Sequence, residues 1–386
     1  MKEKVLILAS WYPSKTSWVN GIFIQDQAKV LAQVYDIAVF VPRIIGWQDA
    51  IKEKVHLKSK AGQYNGIKVY RQETLALPRI FSRFQIHLFV SLAQRRFAKV
   101  LANWGRPDII HAHVVFPGGW IAANLGRKYS IPVVLTEHSG PFSVHMQTKR
   151  QRRLVEETLG QIDRIVAVSP ALAAQIHNFF PSVHIDIVGN AIMSEFFSPV
   201  GSIYKKKLQS KTRFLSIALL NENKGIHHLL EAIHLIIQRA NIPFELFIGG
   251  EGPARPALEK MTSELGLSDQ CHFLGMLVRS KVRYWMQQCD VFILPSLLET
   301  FGVVLGEAMA CGKPVIATRC GGPEFVITPE TGILVDTEDP IALAEAISRF
   351  ISGQVKFDSN TIRRSIVRRF GEEAFLRNIS AIYEKL

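Results

Sequence analysis

The sequence predicts an α/β protein of two Rossmann-like domains, each a doubly wound parallel sheet, that face each other across a cleft. The chain has 386 residues, and roughly 100 to 200 residues make one domain. Short β-branched runs alternate with stretches whose apolar residues recur at helical spacing, which is typical of doubly wound sheets. This alternation breaks once, between Gly189 and Thr212, where Gly, Pro, Ser and a run of Lys indicate a hinge. We therefore expect domains over residues 1–195 and 196–370.

Each strand is predicted from a short apolar run rich in β-branched residues. In the first domain these runs are Val5–Leu8, Ile37–Val41, Asp108–His111, Val133–Thr136 and Arg164–Val168. In the second domain they are Phe214–Ala218, Phe244–Ile248, His272–Leu274, Val291–Leu294, Val315–Ala317 and Ile333–Val335. Helical periodicity is clearest in Gly225–Arg239 and Ile341–Ile351, and Ile362–Leu386 predicts two final helices.

The composition excludes several classes of protein. With 48% hydrophobic and 20% charged residues, the chain is predicted to fold rather than to stay disordered. It contains no run of about 18 apolar residues and no signal-peptide cleavage pattern, so we expect neither a membrane-spanning helix nor secretion. The four cysteines have irregular spacing without a Cys-x-x-Cys pair, which predicts free thiols rather than a zinc site or disulfides.

The net charge of +13 is concentrated in the first domain, where residues 1–195 hold 24 Lys and Arg against 13 Asp and Glu. Such an asymmetry predicts an anionic partner: phospholipid headgroups, a lipid phosphate carrier or nucleic acid. Nucleic acid is disfavoured because the aromatic residues show no stacking pattern and no recognition motif occurs.

The segment Pro295–Thr318 carries the strongest chemical signal. Glu299 follows a predicted strand, and Glu307 comes eight residues later, about two turns into the helix that follows. Carboxylates accept hydrogen bonds from vicinal sugar hydroxyls. The backbone N–H groups of Phe301, Gly302 and Val303 are predicted to be unsatisfied helix-start donors, ready for an anionic or hydroxylated ligand.

This segment closely resembles the Glu-x7-Glu signature of the family 4 retaining nucleotide-sugar glycosyltransferases, which have the GT-B fold. Further matching positions are Cys289–Asp290, Pro295–Ser296, Glu307–Ala310, Gly312, Pro314–Ile316, Gly321–Gly322 and Gly332. The resemblance implies that Glu299 contacts the donor sugar near its reacting face and that Glu307 holds the ribose hydroxyls. It also implies that the terminal helix, residues 371–386, crosses back to the N-terminal domain.

Lys224 precedes the helical stretch after the strand Phe214–Ala218, and an ammonium group there can neutralise charge on a leaving diphosphate. The resemblance implies that role for Lys224. The family usually places an Arg about five residues earlier, whereas this chain has Leu219. A second phosphate-binding cation is therefore missing from the motif.

The resemblance implies further contacts around the donor. Gly250 and Gly252 lie in a Gly-rich loop along the nucleotide, Leu277 contacts the base, and Gly21 belongs to a loop that approaches the phosphates. His138, at the end of the strand Val133–Thr136, corresponds to the family's N-domain histidine, which hydrogen-bonds the donor and the transferred sugar. The catalytic candidates are thus His138, Lys224 and Glu299.

On the acceptor side we expect contacts from His113, Arg150 and Arg153, with His111 as a further candidate. Lys149, Arg150, Arg152 and Arg153 form a basic cluster that suits the phosphate of a polyprenyl-linked acceptor. The segment Pro78–Trp104 is predicted to be either an amphipathic helix on an anionic membrane or a helix covering the N-terminal sheet. Its apolar stripe and its cations are Ile80, Phe84, Leu88, Leu92 and Phe97 with Arg79, Arg83, Arg95, Arg96 and Lys99.

Because no Asp-x-Asp sequence occurs, we expect no obligatory metal, and the nucleoside-diphosphate sugar, a UDP-sugar by preference, acts as co-substrate. The predicted enzyme is a retaining hexosyl-type glycosyltransferase that extends a lipid-linked glycan in cell-envelope or exported polysaccharide synthesis. We expect it to be cytoplasmic, with peripheral association at the inner face of the plasma membrane. The alternatives are a transferase with a small soluble acceptor, a nucleotide-sugar epimerase, and a degenerate, non-catalytic nucleotide-sugar-binding protein.

Overall fold

A computed structural model describes residues 2–14, 17–45, 51, 61–64, 66–75, 82–199, 211–239 and 243–386. The chain divides into two compact units. Unit 1 comprises Met1–Val168, Leu172–Gly189 and Leu376–Leu386, and unit 2 comprises Ser169–Ala171 and Asn190–Phe375. Residues 200–210 of the predicted hinge lie outside the described residues.

Unit 1 is built on one eight-stranded sheet. Its strands are β1 Lys4–Ala9, β2 Asp36–Ile45, β3 Ala61–Tyr64, β4 Ile67–Leu75, β5 Ile109–His113, β6 Val133–Glu137, β7 Arg164–Ala167 and β8 Ile185–Ile187. They lie in the order β3-β4-β2-β1-β5-β6-β7-β8, and every neighbouring pair is parallel except β3 and β4. The strand order reverses direction between β1 and β5, which makes their carboxyl ends the switch point where ligands of such sheets bind.

Unit 2 is built on a six-stranded sheet in which every neighbouring pair is parallel. Its strands are β9 Thr212–Ile217, β10 Phe244–Gly249, β11 Cys271–Gly275, β12 Val291–Leu294, β13 Val315–Thr318 and β14 Gly332–Val335. They lie in the order β11-β10-β9-β12-β13-β14. The switch point of this sheet is therefore at the carboxyl ends of β9 and β12.

Helices connect most consecutive parallel strands in both units, since parallel neighbours need a crossover connection. In chain order they are α1 Ile22–Leu31, α2 Ser82–Trp104, α3 Trp120–Tyr129, α4 Lys149–Leu159, α5 Pro170–Phe179, α6 Ile226–Arg239, α7 Arg255–Glu264, α8 Arg279–Gln288, α9 Val303–Ala310, α10 Pro323–Val326, α11 Pro340–Ile351, α12 Ser359–Phe370 and α13 Glu372–Tyr383. None of the described helices is long and apolar enough to cross a membrane.

The strand predictions are confirmed, because every predicted run forms a strand of one of the two sheets. Parallel strands with helices on both faces are buried on both sides and are therefore apolar throughout, as in Val5–Ala9 and Val291–Leu294. Three strands were not predicted. In β4 the inward positions include Gln72 and Thr74, which hide the alternation, and β3 and β8 are short.

The second helix, α2, packs inward rather than presenting its apolar side to solvent. Phe89, Ala93 and Phe97 are fully buried. Arg96, predicted as part of a cationic outer face, is also buried, with its guanidinium 5.6 Å from the ring centre of Tyr70. Burial lowers the pKa of Arg96, partly offset by Tyr70. The described part of α2 thus matches a helix that covers the sheet, and the membrane-facing prediction is wrong for Phe97 and Arg96.

The structure does not describe every residue of the predicted segment Pro78–Trp104. Arg79 and Ile80 lie outside the described residues, and the side chains of Arg83 and Phe84 are not described.

All four cysteines are free, which confirms the prediction of free thiols. Burial raises the pKa of Cys271 and of Cys311 to about 12, so these thiols stay protonated and unreactive at neutral pH.

Candidate active site

The switch point of unit 2 brings together two predicted catalytic residues. Lys224 ends a single 3-10 turn, Glu222–Lys224, in the loop after β9, and Glu299 lies in the loop after β12. The ammonium Nζ of Lys224 donates to Oε1 of Glu299 at 2.6 Å, and the two side chains are 22% and 15% exposed. The Ser296 hydroxyl donates to the same carboxylate oxygen at 3.1 Å. The result is a partly desolvated ion pair at the sheet edge where a ligand is expected.

The two loops are fastened to each other by their backbones. The N–H of Leu297 donates to the carbonyl of Asn223 at 2.8 Å. Gly225 has φ +60°, and a Cβ added there would lie 2.0 Å from the carbonyl oxygen of Pro295. Only glycine fits this close approach, so residue 225 keeps Lys224 and Glu299 in register.

Helix α9 begins beside Glu299 and offers free backbone donors. Its N-cap is Gly302, with φ +81° and no side-chain cap. Within the part of the chain that the structure describes, the N–H groups of Phe301, Gly302 and Val303 have no protein acceptor. The Phe301 ring is buried against Phe325 and Phe370, so it can offer a ligand only its backbone. These donors and the helix dipole favour an anionic group here.

Glu307 lies on α9, and Arg279 is its charged neighbour. The helix begins at Val303, so Glu307 stands about one turn into it rather than the two turns expected. Nη2 of Arg279, the first residue of α8, is 3.7 Å from Oε1 of Glu307. The guanidinium also lies 5.2 Å from the ring centre of Phe197. Sequence reasoning missed Arg279, although a cation directly after the Gly275–Val278 loop was the available signal.

The Gly-rich loop after β10 packs on the loop that leads to Lys224. Side chains at Gly250 and Gly252 would lie 1.8 Å from the carbonyl oxygen of Ala218 and 2.2 Å from that of Leu220. Close contacts within the protein therefore explain both glycines, and their contact with a donor stays a prediction. Leu219, where the family usually has Arg, is 54% exposed.

The remaining donor-side candidates occupy tightly constrained positions. The half-buried Leu277 packs on Gly249, where its Cδ1 would lie 2.7 Å from an added Cβ. Gly21 is the N-cap of α1 with φ +72°, and an added Cβ would lie 2.5 Å from the carbonyl of Trp11. Both contacts show why these residues fit their places, and their roles in binding the base and the phosphates stay predictions.

The second group of candidates lies at the carboxyl ends of β5 and β6 in unit 1. Nε2 of His138 is 2.9 Å from Nδ1 of His113, and the two rings are stacked with centres 5.2 Å apart. The ring centre of Phe23, in α1, lies 4.8 Å from that of His138. His138 is thus at the end of its strand, as predicted, with a second histidine directly behind it.

His111 and His113 are fully buried, so the structure gives them no surface for an acceptor. The expected direct contact between His113 and the acceptor is therefore wrong for this geometry. Nδ1 of His111 is 2.7 Å from the Tyr383 hydroxyl, and its Nε2 is 2.7 Å from the Thr136 hydroxyl. Burial, with some repulsion from His138, lowers the pKa of His111 to about 3. Burial and the neighbouring histidines hold the pKa of His113 well below 6.5.

The predicted basic cluster lies at the exposed start of α4, which is capped by the Thr148 side chain. Arg150 and Arg153 are both exposed, and Nε of Arg153 donates to Glu157 at 2.9 Å. Cations in the first turn oppose the helix dipole, so the cluster is not explained by helix stability. Its role toward an acceptor stays a prediction.

Among the described residues, no three or more His, Cys, Asp or Glu side chains are grouped so that they could hold a metal ion.

The chain is similar to known glycosyltransferases along most of its length. A family model described as Glycosyltransferase Family 4 matches residues 26–196, and one described as Glycosyl transferases group 1 matches residues 203–368. The putative teichuronic acid biosynthesis glycosyltransferase TuaC of Bacillus subtilis is 29% identical over 91% of this chain and 90% of its own. N-acetyl-alpha-D-glucosaminyl L-malate synthase of Bacillus anthracis is 26% identical over 72% and 74%. Among solved structures, the match to Anabaena HepE in complex with UDP-glucose covers 100% of this chain and 100% of that chain, with a TM-score of 0.75 and 18% identity.

The chain therefore belongs to the family 4 glycosyltransferases and has the GT-B fold. The two family models together span both predicted domains, and the relatives are transferases.

Proposed function

We propose that this protein is a retaining glycosyltransferase that moves a hexose-type sugar from a nucleoside-diphosphate sugar to a hydroxyl acceptor. The observation that carries the proposal is the Lys224–Glu299 ion pair at the switch point of unit 2, beside the free N–H groups at the start of α9. One cation and several aimed N–H donors suit a leaving diphosphate. A UDP-sugar is the first donor to test, since HepE, of the same fold, binds UDP-glucose.

The reaction that fits these groups breaks the bond between the sugar C1 and the diphosphate oxygen, and the electron pair stays on that oxygen. The acceptor hydroxyl oxygen bonds to C1 on the same face, and its proton passes to the leaving phosphate. Lys224 and the α9 N–H groups stabilise the growing negative charge. Because Oε1 of Glu299 already accepts from Lys224 and Ser296, we assign Glu299 to holding the sugar ring rather than to nucleophilic attack.

Metal independence is part of the proposal. The ammonium of Lys224 and the α9 helix start would supply the charge that a metal ion supplies elsewhere. Leu219 removes the second cation from the motif, and the guanidinium of Arg279 lies 3.7 Å from Glu307. We therefore assign to Arg279 the task of orienting Glu307 toward the ribose hydroxyls.

For the acceptor we propose a lipid-linked glycan of envelope or exported polysaccharide synthesis, reached at the cytoplasmic face of the membrane. The exposed cations Lys149, Arg150, Arg152 and Arg153 support a phosphate-bearing, membrane-attached acceptor. The name of the TuaC relative, which refers to teichuronic acid, points the same way.

A small soluble acceptor is the second candidate, favoured by the similarity to the L-malate synthase. A degenerate, non-catalytic protein that only binds nucleotide sugar is the third, favoured by the exposed Leu219.

The proposal is tested by offering UDP-sugars with polyprenyl-diphosphate-linked glycans and, in parallel, with L-malate and inositol phosphate. We expect transfer to the lipid-linked acceptor, and NMR of the product should show the anomeric configuration of the donor. An inverted product refutes retention, and transfer to the soluble acceptors alone moves the assignment to the second candidate. A variant with Arg150 and Arg153 changed to Gln should raise KM for the lipid-linked acceptor and leave donor KM unchanged.

A further inference from the structure

Half-buried aromatic side chains gather at the switch point of the unit 1 sheet. Trp11 follows β1, and Phe116 and Trp120 follow β5. The ring centres of Phe116 and Trp120 are 6.1 Å apart, and the ring planes are 33° apart. Trp11 meets the Phe23 ring edge-on, with the ring centres 6.5 Å apart. None of these rings takes part in the proposed transfer step, although the switch point is where a ligand of this sheet is expected.

Phe116 belongs to the turn Val115–Gly119, whose backbone is strained where it leaves β5. Val114 has φ +71°, in the left-handed region that a β-branched residue rarely adopts. It is fully buried, its N–H donates to the carbonyl of Thr136 at 2.9 Å, and its own carbonyl accepts from the N–H of Gly119 at 2.9 Å. Strain of this kind persists where surrounding contacts over-determine it, and it is concentrated at binding and catalytic sites.

Two buried side chains fasten this turn to the neighbouring strands. The carboxylate of Glu137, the last residue of β6, accepts from the N–H of Val115 at 2.7 Å. The hydroxyl of Ser10, which follows β1, accepts from the N–H of Gly118 at 2.9 Å. A Cβ added at Gly118 would lie 2.7 Å from that hydroxyl oxygen, so glycine is required for this close approach. The turn that carries Phe116 is thus fixed between the ends of β1 and β6.

The surroundings of the rings suit a sugar better than a lipid chain. Aromatic rings offer flat apolar faces, which can pack on the C–H groups of a pyranose. A polyprenyl chain needs a continuous aliphatic surface, and none of the large hydrophobic residues that are exposed in the described structure lies in the loops after β1 or β5. The turn also contacts α4, whose exposed Arg150 and Arg153 suit a phosphate. An acceptor that carries both a sugar and a phosphate matches this part of unit 1.

We propose that Phe116 and Trp120 form a platform on which a sugar ring of the acceptor stacks through its C–H face. This inference rests on the proposed function, because it concerns the acceptor of that reaction. The platform contributes to acceptor binding and touches neither the bond that breaks nor the diphosphate. The strained, doubly fastened turn holds the Phe116 ring in place before the acceptor arrives, which lowers the entropic cost of binding.

Binding to the platform can be measured without any reaction. Full-length protein is labelled with 5-fluorotryptophan, and the ¹⁹F NMR signal of Trp120 is assigned by its loss in Trp120→Phe. The protein is titrated with the methyl glycosides of glucose, galactose, mannose and N-acetylglucosamine, with and without UDP. We expect at least one glycoside to shift the Trp120 signal. The signal of Trp104, which is buried and contacts Lys4 at the start of β1, should not move. If no glycoside shifts Trp120, or if Trp104 shifts equally, the inference is overturned.

Kinetics with a responsive donor then separate a sugar platform from a lipid-binding surface. Phe116→Leu and Trp120→Leu keep an apolar side chain but remove the flat ring. Each should raise KM about 3- to 10-fold for a lipid-linked glycan and for the same glycan released from its lipid, with donor KM unchanged. Trp120→Phe should recover most of that loss. The control Trp285→Leu, at a half-buried ring of unit 2, should leave acceptor KM unchanged.

The remaining outcomes decide against the platform or against the reaction. If the Leu variants raise KM for the lipid-linked glycan alone, the rings hold the lipid and the inference is overturned. Unchanged acceptor KM in both Leu variants overturns it as well. If no donor is turned over, the proposed function fails, while the ¹⁹F titration still decides whether a sugar binds at Trp120.

Discussion

His111 should make the stability of unit 1 depend on pH. Its pKa is about 3 in the folded protein, because burial and then His138 disfavour the charged ring, against 6.5 when exposed. Below pH 6.5 the unfolded chain therefore takes up a proton that the folded chain does not bind. Folding stability is unaffected by this residue above about pH 7 and is lost progressively as pH falls toward 3.

The expected loss follows from the two pKa values. Between pH 7 and pH 5 the unfolded chain gains about 2 kcal/mol from protonating His111, while the folded chain gains almost nothing. Urea unfolding at both pH values, for the unmodified protein and His111→Gln, measures this difference. The variant should lose about 2 kcal/mol less between pH 7 and pH 5 than the unmodified protein.

A matched control separates burial from the chemistry of histidine. His177 is exposed near the end of α5, so His177→Gln should leave the pH dependence of the unfolding free energy as it is in the unmodified protein. If His111→Gln and the unmodified protein lose equal stability between pH 7 and pH 5, the buried neutral state of His111 is refuted.

Three further substitutions test the unit 2 site. Lys224→Ala should lower kcat about 10²–10³-fold, since it removes a cation aimed at the leaving group, whereas Lys260→Ala, at an exposed surface lysine, should not change it; equal rates would contradict the assignment. Arg279→Ala should raise donor KM about tenfold with little change in kcat, measured by steady-state kinetics, and an unchanged KM would remove Arg279 from the site. Gly250→Ala would place Cβ 1.8 Å from a carbonyl oxygen, whereas the Cβ added by Gly266→Ala meets open space. Gly250→Ala should therefore lower Tm by several degrees more than Gly266→Ala in differential scanning fluorimetry. Equal Tm changes would contradict the close packing at Gly250.

Much of the fold could be predicted because parallel strands buried on both faces are continuously apolar. Val5–Ala9 and Val291–Leu294 show this directly, and both were predicted. The hairpin strand β4 was missed because Gln72 and Thr74 occupy inward positions, so its pattern is not apolar.

The site was predicted where a loop motif carries the chemistry and missed where tertiary contacts decide it. Lys224 and Glu299 follow strands that are distant in sequence, and strand order alone brings them to one switch point. The burial of His113 depends on the pairing of β5 with β6, which sequence spacing does not reveal. Arg279 looks like an ordinary surface cation until α8 and α9 place it beside Glu307.

The central claim is that the loops after β9 and β12 bind a nucleoside-diphosphate sugar. It is tested most directly by calorimetric titration of the protein with UDP, GDP, ADP and TDP and their common sugars, with and without EDTA, repeated on Lys224→Ala and Glu307→Gln. We predict that one nucleotide binds, that EDTA does not abolish binding, and that each variant weakens Kd at least tenfold. If no nucleotide or nucleotide sugar binds, or if neither variant weakens the binding that is seen, the assignment of this site is contradicted.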